Sequence, residues 1–127
     1  MERSDTVDEA LLFTVTHGAD APERATVPFI AAATAAVSGR HAIVVATIEG
    51  VTLGLPEVAT GVEEPGMPPL IDLQRQLVSG GGAIWLCSAC TTKRGITGDQ
   101  QLVEGAMIVG AARIVEALGT GRAISLG

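Results

Sequence analysis

Two cysteines, in Cys87-Ser88-Ala89-Cys90, are the residues of this sequence best suited to chemistry. A thiolate is a nucleophile and a spaced thiol pair can close a disulfide, so the expected chemistry is sulfur transfer or redox cycling. Cys87 directly follows the apolar run Ala83-Ile84-Trp85-Leu86, and Lys93 and Arg94 follow it within a few residues. Backbone amides at a strand end and nearby cations favour a thiolate, or a terminal sulfur carried on one. Cys87 is therefore the expected nucleophile, and Cys90 is spaced to resolve it as a disulfide. Two other readings stay open. Both cysteines can be small buried hydrophobes, or half of a metal site. Structural zinc needs four ligands, and His17 and His41 are remote in sequence and not at finger spacing. No metal and no cofactor is expected.

Four further residues are candidates for supporting roles. His17 can act as a base or hydrogen-bond Cys87, or only satisfy nearby backbone. Glu49 is a polar group at the site or a solvated turn residue. Arg94, with Lys93, can hold an anion or a persulfide, or Arg94 can pair with an acidic neighbour. Gly80-Gly81-Gly82 precedes a strand instead of joining strand to helix, so it reads as a turn and not a phosphate cradle. The Trp85-to-Cys90 stretch departs from a thioredoxin site, because the Trp is one residue early and the proline is missing. No Ser-His-Asp arrangement and no pair of catalytic carboxylates at helical spacing is present.

The elements that must position these residues alternate in type. Leu11 to Thr16 is a β-rich run, followed by a turn at His17-Gly18-Ala19. Asp20 and Glu23 form an expected capping pair for a helix that runs to Ser38 and stops at Gly39. Pro28 is expected to kink it. His41 to Ile48 is a second strand, whose Val/Ile run suits burial on both faces. Residues 49 to 69 form a long Gly- and Pro-containing connection of the kind that serves as a lid or binding loop. Leu70, Leu73 and Leu77 repeat at helical spacing, and Ala83 to Leu86 is the third strand. Asp99 is expected to cap a last helix from Gln100 to Leu118, and Arg122 to Leu126 is the closing strand. Alternation with long connections predicts an α/β domain, a parallel sheet with helices on both faces, over residues 10–127. Met1 to Glu9 is expected to be a polar tail. In such sheets reactive groups gather beyond the carboxyl ends of the strands, where His17, Glu49 and Cys87 all fall.

The chain has 127 residues, 47% hydrophobic and 17% charged, enough for a core built from Ala, Val, Ile and Leu with few aromatics. Its net charge of −6 and the scatter of its eight Lys and Arg argue against nucleic acid and against a basic membrane-surface helix. No apolar stretch approaches the roughly 20 residues of a membrane span. Met1 to Glu9 is acidic and lacks a signal-peptide pattern, so a reducing cytoplasm is the expected compartment. Thr26 to Ser38 and Gly105 to Ala112 contain no charged residue. Helices with so little polarity are expected to cover the sheet with one face and a second copy of the chain with the other.

The order of these motifs resembles the DsrE/DsrF family. Thr16-His17-Gly18, Asp20 and Pro22-Glu23-Arg24-Ala25 look like its opening, and Glu49-Gly50-Val51 like its second landmark. Cys87 through Arg94-Gly95-Ile96 resembles its third, a strand-end cysteine followed eight residues later by the Gly of an Arg-Gly-Ile. Gly105 with its following apolar segment and the closing strand complete the pattern, from about Leu11 to Leu126. The resemblance implies a flavodoxin-like, three-layer α/β/α fold with a mainly parallel sheet of about five strands. It also implies assembly into homotrimers or homohexamers. In the sulfur-relay members a cysteine accepts sulfane sulfur as a persulfide and passes it to a small sulfur-carrier protein, working with sister subunits. Cys87 matches that cysteine, while Cys90 has no counterpart in the TusD-type motif.

The expected function is thus a small oligomeric sulfur-transfer protein with its persulfide on Cys87. The alternatives are a dithiol redox protein cycling a Cys87–Cys90 disulfide, or a non-enzymatic oligomeric binding module with inert thiols.

Overall fold

The computed structural model describes residues 10–126, so the expected tail Met1–Glu9 and Gly127 lie outside the described residues. Strands β1 (Leu11–Val15), β2 (Ala42–Ala46), β3 (Ala83–Cys87), β4 (Ala106–Val109) and β5 (Arg122–Ser125) form one sheet in the order β4-β3-β2-β1-β5. Every pairing is parallel. The sheet is packed on both faces. Phe13, Val44, Ile84 and Leu86 point toward helices α1 (Pro22–Val37) and α3 (Leu70–Ser79). Leu12, Ile43, Val45 and Trp85 point the other way, toward α5 (Ala111–Thr120). This is the three-layer arrangement. The Ala-Ile-Val-Val-Ala run of β2 is buried along its whole length, as expected for a central parallel strand.

Helix α1 explains its own lack of charge. One side packs on β1 and β2 and another on α3, so Ala25, Phe29, Ala32, Ala33 and Ala36 are all buried within one chain. Small side chains let the helices approach closely: a Cβ at Gly80 would stand 2.9 Å from the Ala36 Cβ. Pro22 occupies the first turn, where its missing N–H costs nothing, and the helix continues through Pro28 to Val37. The expected Asp20–Glu23 cap is absent. Ala21 is the N-cap residue, and the Asp20 carboxylate instead accepts the Gly18 N–H at 2.7 Å, bracing the turn after β1.

The connection after β2 is not a lid. Ile48–Gly54 is a 3-10 segment and Pro56–Ala59 a short helix, α2, with Val51, Leu53, Ala59 and Val62 all in the core. A larger departure concerns residues 100–118. The expected continuous helix is replaced by an extended approach, the strand β4 and only then α5. Gly105 takes φ +82° and Gly110 is extended, so both ends of the run are broken. Between them Ala106–Val109 pairs with β3, Cys87 opposite Val109. A helix there would have left one edge of β3 without partners, and that non-local gain outweighs the helical preference of Ala and Met. No helix among the described residues is long and apolar enough to cross a membrane.

Candidate functional site at the carboxyl end of β3

Cys87 is the last residue of β3 and the N-cap residue of a six-residue helix, α4 (Ser88–Lys93), which carries Cys90. Both thiols are free and half-buried, packed against the core under α1 and α3. The chain leaving β3 stays on that face, whereas the chain leaving β4 enters α5 on the opposite face. Adjacent strands that send their chains to opposite sides mark the carboxyl end where open α/β sheets tend to hold ligands. Cys87, the last residue of β3, lies at that end.

Burial pushes the Cys87 pKa up, but the Cys90 amide, the Cys90 thiol and the Ala89 amide outweigh it, and the net pKa lies below the free-thiol value of 9.0. None of these groups makes a fully formed cap hydrogen bond. Their dipoles act on the sulfur because the first turn of a helix aims its unpaired N–H groups at the N-cap side chain.

The position of those amides is set at the other end of α4. Gly95, with φ +72°, ends the helix in a Schellman turn: the Gly95 N–H donates to the Thr92 carbonyl and the Ile96 N–H to the Thr91 carbonyl. Ile96 then drops into the core at 4% exposure. The Arg-Gly-Ile sequence is thus the stop signal of the helix that follows the cysteine. Arg94 adds a cross-link. Its Nε donates to the Glu49 carboxylate at 3.1 Å and its Nη1 to the Cys90 carbonyl at 3.2 Å. Glu49 lies in the 3-10 segment after β2, directly after Ile48, whose φ of +56° is a left-handed conformation costly for a β-branched residue.

Of the six expected site residues, four come together: Cys87, Cys90, Glu49 and Arg94. Lys93 is exposed in the last turn of α4, roughly 9 Å along the helix from Cys87 at about 1.5 Å per residue. His17 turns aside. Its Nδ1 is 3.1 Å from the Thr16 hydroxyl, and it lines a small cavity of about 60 Å³ with Thr14, Arg24 and Ser125 at the ends of β1 and β5. His41 sits before β2, at the amino end of the sheet. Among the described residues no three His, Cys, Asp or Glu gather in a group suited to a metal ion. Gly18 and Gly50 matter for closeness, not chemistry. A Cβ on Gly18 would meet the Thr52 hydroxyl at 2.5 Å, and one on Gly50 the Val15 carbonyl at 2.5 Å.

Sequence reasoning missed α4. Its signal was present: a cation in the last turn, then Gly as the stop. The Glu49–Arg94 pair, 45 residues apart, had no local signal. With side-chain exposures of 45% and 20%, that pair is worth at most about 1 kcal/mol. Arg94→Met is expected to cost about 1 kcal/mol in urea unfolding and to raise the pH midpoint of Cys87 alkylation, because α4 loses its brace. An unchanged midpoint would remove the link between Arg94 and the thiol.

The sequence model of the DsrE/DsrF-like family matches residues 9–125. No curated protein matches the chain. Among solved structures, the chain is similar to the YchN protein from E. coli, with a TM-score of 0.76 and 16% identity, covering 93% of this chain and 99% of that one. It is similar as well to MTH1491, a protein of unknown function from Methanobacterium thermoautotrophicum, with a TM-score of 0.69 and 20% identity over 93% and 99% of the two chains. At these identities the likeness concerns the fold.

Proposed function

The chain belongs to the DsrE/DsrF-like family, and from that premise we propose that it is a sulfur-transfer protein that carries sulfane sulfur on Cys87. The observation that carries this reading is the half-buried, unpaired Cys87, with a pKa lowered by the amides and thiol of its own helix turn. The Cys87 thiolate attacks the outer sulfur of a persulfide donor R–S–SH. A Cys87 S–S bond forms, the donor bond breaks and RS⁻ leaves. An acceptor thiolate then attacks the outer sulfur, and Cys87 departs as the thiolate. No net oxidant is needed. The acceptor thiol belongs to a small sulfur-carrier protein or a sister subunit, and a reducing cytoplasm keeps both cysteines free.

Exposure to a persulfide donor, followed by intact-mass and peptide analysis, tests the proposal. The expected result is a gain of one sulfur on the Cys87 peptide, reversed by a small thiol. No gain, or a gain confined to Cys90, would sink it.

A second reading has one observation behind it: both thiols are free, half-buried and in one turn, Cys87 as the N-cap residue and Cys90 in the first turn of α4. Attack by Cys90 on the inner sulfur of the loaded site closes a disulfide and expels HS⁻. A dithiol cycle between Cys87 and Cys90 is the redox form of the same geometry.

Self-association belongs to the same proposal. On the α5 side Met107 is 45% exposed and Val115 66%, and a groove between Trp85, Arg113 and Val115 lies open. Arg113 stands 5.0 Å from the Trp85 ring centre. Apolar surface clustered in this way favours contact with a second copy. Val115→Glu is expected to lower the molar mass seen by light scattering, and a wild-type protein that is monomeric at all concentrations would refute the assembly.

A further inference from the structure

We propose that the cavity at the carboxyl ends of β1 and β5 binds a tetrahedral oxyanion of the size of sulfate or phosphate. Thr14 and Ser125, register partners at the ends of the two strands, line it on one side, and Arg24 and Pro28 of α1 on another. Its volume is about 60 Å³. That is about twice the roughly 30 Å³ that one water molecule takes in the liquid, and far below the roughly 300 Å³ at which pockets for organic ligands begin. The five heavy atoms of a tetrahedral oxyanion fit that space, and an organic body does not. β2 separates β1 from β3, so the cavity stands roughly 10 Å across the sheet from Cys87 at about 4.8 Å per strand. It is independent of the thiol chemistry.

The lining selects the sign of the charge. Arg24 brings a permanent cation with five N–H donors. The ion pairs among the described residues join Arg75 to Asp72 and Arg94 to Glu49, and the Arg24 guanidinium has no ion pair or hydrogen bond there. Thr16 and His17 add a further donor. The Thr16 hydroxyl and the His17 Nδ1 are 3.1 Å apart. In either neutral tautomer the pair holds two polar protons, one on the hydroxyl and one on the ring, and their mutual bond uses one of them. The other stays free. The Ser125 hydroxyl can donate as well, and it too has no hydrogen bond among the described residues. No carboxylate among the described residues lines the cavity. The two acidic neighbours are placed elsewhere: Asp20 accepts the Gly18 N–H at 2.7 Å, and Glu23 lines the adjoining groove with Val27 and Leu126. Donors with one permanent positive charge and no opposing carboxylate favour an anion that accepts several hydrogen bonds at once. Arg24 and Ser125 are exposed and His17 is half-buried, so a free ion enters at the rim without displacing the core.

Amide NMR titration of the full chain with sodium sulfate and with sodium phosphate, each against sodium chloride at matched ionic strength, tests the proposal. Both oxyanions are expected to give saturating shifts at residues 14–17, 24 and 125, and chloride to bind there at least about tenfold more weakly. Arg24→Gln is expected to weaken oxyanion binding by about tenfold or more, the scale of losing a hydrogen bond to a charged group. Persulfide loading of Cys87 should be the same in Arg24→Gln and wild type, so a failure of this site and a failure of the sulfur chemistry are read separately. An equal response to chloride, shifts that spread over the surface without saturating, or undiminished oxyanion binding by Arg24→Gln would each overturn the proposal. The comparison of salts on the wild-type protein decides it even where the variant fails to fold.

Discussion

Cys87→Ser is expected to bring sulfur uptake from a persulfide donor down to background, a loss of about a thousandfold or more, on the scale of removing a nucleophile from an enzyme. A serine hydroxyl does not ionise near neutral pH and forms no persulfide. Cys90→Ser is expected to behave differently. Its hydroxyl keeps a polar O–H in the same turn and Cys87 is untouched, so loading survives, while the internal attack that expels HS⁻ is gone. The loaded state of Cys90→Ser should outlive that of the wild type several-fold. Equal loss of loading in both variants would instead favour the dithiol cycle. The pH dependence follows from the direction of the shift. The folded Cys87 pKa lies below 9.0, so between the folded value and 9.0 the unfolded chain binds more proton. Stability from this group is full above 9.0 and is lost as pH falls through the folded value. Alkylation of Cys87 should accordingly reach half its maximal rate below pH 9.0, ahead of a free-cysteine peptide.

Phe29→Ala is expected to destabilise the chain by about 3–5 kcal/mol, a large part of the roughly 5–15 kcal/mol that holds a domain of this size. Phe29 has no exposed surface and is the largest of the fully buried side chains. Its neighbours along α1 are Ala25, Ala32, Ala33 and Ala36, which have no reach with which to fill a cavity. The backbone cannot close in either, because α1 is held between the sheet and α3. Phe29→Leu keeps most of the volume and should cost less than about 2 kcal/mol. Urea unfolding with an unchanged slope measures both. A loss under about 1 kcal/mol for Phe29→Ala would show that α1 can collapse into the gap.

What was legible in the sequence was local. The Val/Ile run of β2, the Leu70-Leu73-Leu77 spacing of α3 and the apolar run ending at Cys87 are patterns of period and burial carried by neighbouring residues. Cys87 at a strand end and the family resemblance came from the same local order. Residues 100–118 misled because Ala and Met favour a helix in isolation, while the open edge of β3 decided for a strand. Only the tertiary structure could place β5 beside β1, bring Arg94 to Glu49 and turn His17 away from the cysteines. Each of these depends on strand order and on which face a segment joins, and residues far apart in the chain meet only after those choices are made. The position of the proposed sulfur carrier, Cys87 at a strand end, was therefore written in sequence. Its surroundings, the brace on α4 and the amides that lower its pKa, are products of packing.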